Sequence, residues 1–277
     1  MRRILPLFAV LALGRANAQE RVVESVVPAL AYGAACSSTV EMRNLSDRPV
    51  VVDVEAHKAS GALVAMVGHP EIAVRLSPLE RSSYKLDIAE ETGSAWVKVR
   101  ERVPSPELSP VVAVGGATEC VVGNQLRTAG RQVVYPTESP WFSGDVTDLG
   151  GGLLSLINTS ERAVKASACY SSGAFFSTPA DAPSGAHAAT AAAAELRPLC
   201  TSAFEVQIPP FSAREFPVAR DGSSHFSLKT QGAAIVLEML RPLEPTVKMY
   251  QVDSSIRFGS EVPGGGGSEV PAAPAKR

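Results

Sequence analysis

The side chains able to do chemistry are scattered along this 277-residue chain rather than gathered into motifs. Ser82 and Lys85 have the S-x-x-K spacing, which on a helix would bring hydroxyl and amine together. Here they fall on an expected strand, where they point to opposite faces. The adjacent acids Glu90 and Glu91, before Gly93, read as solvated charge in a turn. A nucleophile needs a base held by a third group, and the chain has no G-x-S-x-G elbow to provide one. Gly150 to Gly152 precede an expected strand rather than a helix, the wrong context for a phosphate loop. The histidines at 57, 69, 187 and 225 are dispersed and there is no C-x-x-C pair. Neither a catalytic set, a cofactor site nor a metal site is therefore expected. Trp96 and Trp141 are single aromatics, suited to packing in a core or between domains rather than to a sugar platform.

The cysteines carry a different message. Residues 1–18 read as a secretory signal: Arg2 and Arg3, then an apolar stretch from Ile4 to Leu13 too short for a stable span, then Ala16-Asn17-Ala18 as the cleavage site. Removing Arg2, Arg3 and Arg15 leaves 23 basic and 28 acidic residues, a formal charge of -5 in place of -2. Such a balance excludes nucleic-acid binding through a basic face and gives no cationic membrane surface. No later stretch is apolar enough to span a membrane. In an exported chain an even set of cysteines suggests disulfides. Of the three pairings open to Cys36, Cys120, Cys169 and Cys200, Cys36–Cys120 and Cys169–Cys200 keep each bridge within one half of the chain.

What would position these residues is a repeated unit. Asn44-Leu45-Ser46-Asp47-Arg48-Pro49-Val50 returns as Asn158-Thr159-Ser160-Glu161-Arg162-Ala163-Val164, the pattern N-x-S-(D/E)-R-x-V. Each motif follows an apolar stretch and leads into an alternating segment: Val50, Val52 and Val54 against Val51, Asp53 and Glu55, or Val164, Ala166 and Ala168 against Lys165, Ser167 and Cys169. Period-two alternation means strands with one buried and one solvated face. Further on, Ile72, Val74, Leu76 and Pro78 match Phe204, Val206, Ile208 and Pro210 at an offset of 132, and Tyr84 and Leu86 match Phe216 and Val218. A third match, at offset 130, sets Ser94-Ala95-Trp96 against Ser224-His225-Phe226. Several matches in one order imply duplication. Both motifs are also glycosylation sequons, but Asn and Ser bond readily to local backbone, so they read as turns. Arg48 and Arg162 are placed to brace those turns through a carboxylate or carbonyl.

About seven short strands per copy suggest an all-β chain: two tandem immunoglobulin-like antiparallel β-sandwiches, at 19–135 and 141–258, joined by 136–140. The second copy carries twenty extra residues, a loop over about 175–198 with an alanine run long enough for one or two helical turns. Such a loop is a candidate binding element. Residues 259–277 read as a flexible Gly/Pro/Ala tail with no anchor motif.

The segments Thr39 to Ser46, Leu76-Ser77-Pro78, Leu156 to Ser160 and Ile208 to Phe211 resemble immunoglobulin-like domains of exported bacterial proteins, in particular uncharacterised secreted proteins with tandem sandwich repeats. The resemblance, over about residues 25–255, implies a periplasmic or extracellular, non-catalytic binding or structural module. Its partner would be another envelope or extracellular protein. The first copy is also similar to the N-terminal domain of pilus-type periplasmic chaperones. That alternative implies strand donation to a subunit, with Val111 to Val114 as the donor.

Overall fold

The computed structural model describes residues 21–66, 71–86, 88, 92–103, 109–137, 141–146, 153–172, 202–217, 224–230, 235–244 and 249–252. The signal segment 1–18, Glu90, Glu91, Gly150 to Gly152, the insertion 175–198, Cys200 and the tail 259–277 lie outside the described residues. Described secondary structure is all strand, and every pairing between named strands is antiparallel.

The first unit contains β1 (Arg21–Tyr32), β2 (Cys36–Asn44), β3 (Val50–Lys58), β4 (Leu63–Val64), β5 (Glu71–Leu76), β6 (Arg81–Lys85), β7 (Gly93–Val103), β8 (Val112–Val122) and β9 (Gln125–Gln132). One sheet runs β1-β7-β3, with β4 and β5 on the far edge of β3; the other runs β6-β2-β8-β9. Alternation works as expected on the inner faces. Val52, Val54, Val74, Leu76, Val97 and Val40 are buried in one shared core, with Met42 and Leu30. Removing such side chains from water supplies the main favourable term, roughly 1.5–3 kcal/mol each.

The second unit contains β10 (Trp141–Val146), β11 (Leu153–Asn158), β12 (Val164–Ser172), β13 (Ser202–Ile208), β14 (Ala213–Pro217), β15 (Ser224–Thr230), β16 (Ile235–Glu244) and β17 (Met249–Val252). Its sheets are β10-β15-β12-β13 and β14-β11-β16-β17. Strand for strand this is the order of the first unit: β10-β15-β12-β13 answers β1-β7-β3-β5, and β14-β11-β16-β17 answers β6-β2-β8-β9.

Register corrects one of the sequence matches. Val52 pairs with Glu101, and the equivalent Ala166 pairs with Thr230, so β7 and β15 correspond at an offset of 129 rather than 130. The counterpart of Trp96 is then His225, not Phe226: both stand opposite matching positions, His57 and Ser171. In a sheet a one-residue slip moves a side chain to the other face, so the difference is physical.

The proposed linker is also more than a spacer. Thr137 and Ile235 exchange backbone bonds, N–H to carbonyl at 2.8 Å and back at 3.0 Å, so residue 137 is already paired with the second unit. Between Val27 and Leu30 the register of β1 against β7 shifts, with Ala29 at φ 52°. This bulge at Pro28-Ala29 changes which side chains face inward. Val27 and Leu30 both join the inner core, while Val26 and Ala29 both pack against the second unit.

Candidate functional site

The two Asn motifs form the same structure twice. Asn44 Nδ2 donates to the carbonyls of Arg48 (2.6 Å), Ser77 (3.0 Å) and Leu76 (3.3 Å), and its Oδ1 accepts from the N–H and hydroxyl of Ser46 (2.9 and 2.8 Å). Asn158 Nδ2 donates to Arg162 (2.7 Å), Pro209 (2.9 Å) and Ile208 (3.3 Å), and its Oδ1 accepts from Ser160 N–H and hydroxyl (3.1 and 2.7 Å). Each buried amide ties its own turn to the end of the strand running from 71 to 76 or 202 to 208. Both Asn residues are wholly buried, which leaves no amide for a glycan in the folded chain. The arginine expectation needs correction. Arg48 and Arg162 contribute their backbone carbonyls and N–H groups, while their side chains are exposed. The nearest carboxylate to Arg48 is its neighbour Asp47 at 4.0 Å, a solvated pair of little energetic weight. The two turns lie in separate units and form no common site.

Cys36 and Cys120 are a disulfide-bonded cross-strand pair between β2 and β8, with Cα atoms 4.1 Å apart. The other expected bridge needs Cys200, which lies outside the described residues; the backbone of Cys169 pairs with Ala203 and Ser227. Ser82 is half-buried and Lys85 exposed on alternate sides of β6, as strand geometry requires. Val112 to Val114, from the suggested donor segment, are paired with Asn44 to Met42 in the middle of the β6-β2-β8-β9 sheet.

The chemistry-bearing residues that the fold does gather were not singled out by motif. They lie on the outer face of β3 and β7, where the sequence suggested solvent. Cross-strand pairing sets His57 opposite Trp96 and Glu55 opposite Lys98. Phe211 of the second unit closes over them. The His57 ring is stacked between Trp96 (centroids 4.6 Å) and Phe211 (5.0 Å), and the Lys98 ammonium lies 4.4 Å from the Phe211 centroid. Lys98 Nζ is 2.9 Å from the Glu55 carboxylate, Arg100 pairs with its other oxygen, and His57 Nε2 is 3.3 Å away. His57 Nδ1 lies 3.3 Å from the Gly61 carbonyl. Gly61 itself has φ +92°, and a Cβ there would sit 2.7 Å from the Pro210 carbonyl, so glycine is required where the two segments pass.

These contacts fix the titration of the cluster. Burial pushes the Glu55 carboxyl up, but Lys98, Arg100 and His57 together outweigh it and hold Glu55 below its ordinary value. Burial lowers His57, and the Gly61 carbonyl and Glu55 only partly offset that, so His57 is held below its ordinary value. A carboxylate saturated by three cationic or donor groups is a poor base and a poor nucleophile. Through Phe211 the cluster is in contact with the second unit.

It sits within a continuous joint. Val26 and Trp96 pack on Ile157 and Val236, with Val134, Phe211 and Ala213 alongside. Ala29 packs on Leu240 and Tyr250, and Ala31 with Ala129 on Met249. Ala213 N–H donates across the joint to the Ala59 carbonyl at 2.8 Å, and the Ser94 hydroxyl to Glu215 at 3.3 Å.

Away from the joint the first unit has an open cleft of about 260 Å³ between its two sheets. Val23, Ser25, Val99, Val112 and Tyr135 line it, with Glu101. The Glu101 carboxylate is taken up by the backbone N–H groups of Val111 and Val112 at 3.1–3.2 Å, so the lining is apolar in effect. Among the described residues no group of three or more His, Cys, Asp or Glu could hold a metal ion, and no helix is long and apolar enough to cross a membrane. No protein-family model, curated protein or solved structure matches this chain.

Proposed function

We propose that this chain is an exported, non-catalytic module of two tandem immunoglobulin-like sandwiches, arisen by duplication, that binds or spaces another envelope or extracellular protein. The duplication reading is supported by the equal strand order and by the twin Asn turns, whose hydrogen bonds correspond one for one. The observation that carries the functional reading is the fate of the polar cluster at the joint. Glu55, His57, Lys98 and Arg100 are bonded to one another and sealed by Phe211, so they serve rigidity rather than turnover. A rigid pair of units favours binding, because little freedom remains to be lost. The exposed Leu45 and Tyr135, at the rim of the cleft, supply apolar contact area.

In-cell photo-crosslinking in the native host tests this reading. Probes at Leu45 and Tyr135 should give one discrete protein adduct, and a probe at the exposed Lys165 of β12 should give none. The mature chain recovered from the same cells should begin at Gln19. Retention of residues 1–18 on a cytoplasmic protein, or robust turnover in a hydrolase screen, would overturn the assignment.

A further inference from the structure

The joint holds a second polar pair that its packing does not require. Arg131 of β9 and Glu238 of β16 belong to opposite units, are 4% and 6% exposed, and act on each other electrostatically. The guanidinium spends its donors on its own unit: Nε on the Ala29 carbonyl at 3.0 Å and Nη1 on the Gly130 carbonyl at 3.1 Å. Its Nη2 and the Glu238 Oε2 are both buried without a hydrogen-bond partner among the described residues. The pair attracts through space but is not closed into a bidentate bridge.

Among the described residues, the charged and titratable groups around Glu238 are few. Ser155 of β11 stands beside it and Glu215 of β14 one strand further, on the same row. Tyr250 of β17 is buried too, its phenol raised by burial and by Glu215 to about 12 and therefore neutral. From the first unit come Arg131, the uncharged Ala29 of β1 and Ser94 of β7, which bonds Glu215. One guanidinium, already bonded to carbonyls of its own unit, is thus set against the dehydration of a carboxylate and a second acid nearby. For a buried acid with so little compensation the neutral form is favoured.

We propose that the two units close on each other with uptake of a proton at Glu238, so that the joint tightens as the surroundings become more acidic. Burial raises the Glu238 carboxyl to about 7, with Arg131 opposing the shift. On opening, the hydrated group returns to its ordinary value of 4.5. The closed state has the higher pKa, so it binds more protons. Closure is therefore strongest below 4.5 and weakens as pH rises through about 7. Between pH 5 and 8.5 the closing equilibrium should fall roughly 10- to 100-fold. His57 acts in the opposite sense, because burial in the closed state lowers its pKa. The effect of Glu238 is isolated by the difference between the native chain and Glu238→Gln.

Hydrogen exchange at the cross-joint amide of Ala213, corrected for intrinsic rate, reads the opening directly. The ratio of its protection in the full chain to that in Glu238→Gln should fall by the stated factor from pH 5 to 8.5. The same slope in both proteins overturns the proposal. If Glu238→Gln does not fold, carbon NMR of the carboxyl in the unaltered chain decides. A Glu238 midpoint near 7 supports proton uptake, and one near 4.5 refutes it.

Discussion

The two units present corresponding sheets to different surroundings. In the β6-β2-β8-β9 sheet the outer face carries Glu41, Arg43, Arg81 and Ala113, and water covers it; Arg81 reaches Glu41 at 2.5 Å while both remain well exposed. At the matching register of β14-β11-β16-β17 stand Ser155, Ile157, Ala213 and Val236, and the first unit covers them. The turns repeat the contrast. Leu79 and Phe211 follow the matched prolines Pro78 and Pro210, and both have positive φ, 60° and 53°. Leu79 is 63% exposed, whereas Phe211 stacks on His57. One strand plan therefore tolerates either a wet or a dry outer face, and a handful of side chains decides which. The sequence difference is visible along β2 and β11: TVEMRN alternates, while LLSLIN is apolar on both faces.

Exchanging residues between the faces should break the contrast most severely. Ile157→Arg places an unpaired charge in the joint and should cost about 3–5 kcal/mol in chemical denaturation, whereas Arg43→Ile should change stability by no more than about 0.5 kcal/mol. Equal effects would mean that the joint is not buried in solution. The disulfide marks a second asymmetry, because counting on along β16 from the described register puts Leu243, not a cysteine, at the position of Cys120. Replacing Cys36 and Cys120 by alanine opens a loop of 84 residues and should cost about 4 kcal/mol in the chain-entropy view. That loss should appear in the melting of the first unit, and a drop confined to the second would contradict the assignment.

The Asn turns sharpen what the units share. Asn44→Ala and Asn158→Ala each strand several buried carbonyls, so each should lose about 2–4 kcal/mol. A large effect at one and none at the other would separate the two turns despite their equal geometry. The smallest effect concerns pH. Burial lowers the pKa of His57 in the fold, so its contribution is present above 6.5 and is lost as pH falls below that value. His57→Phe keeps the stack on Trp96 and Phe211 and should flatten the acid limb of the stability profile. An unchanged acid limb would place the titration elsewhere.

Much of the frame was legible because it is written in local chemistry. The N-x-S-(D/E)-R turns, the alternating valines of β3 and the prolines after β5 and β13 act within a few residues of themselves. The Cys36–Cys120 bridge could be chosen because pairing within a half is the simpler arrangement. The reading failed where the second unit covers the first. Glu55 and His57 were assigned to solvent or to no site because alternation shows which residues share a face, not what lies over that face. Arg131 and Glu238 carried no motif, and the one-residue slip that pairs Trp96 with His225 is invisible until strands are in register. A faint signal was present for the joint: Leu153 to Ile157 is apolar on both faces except for Ser155, beside strands that otherwise alternate.

The sequence alone determined the all-strand character, the two matched turns and the inner cores, since period, turn propensity and apolar content are properties of short segments. Only the tertiary structure decided that the outer face of β11 is dry, that Phe211 seals a His–Glu–Lys–Arg cluster, and that Arg131 and Glu238 are both buried. Those outcomes depend on which surfaces exclude water. Exclusion is set by the packing of residues more than a hundred positions apart, which no local pattern encodes.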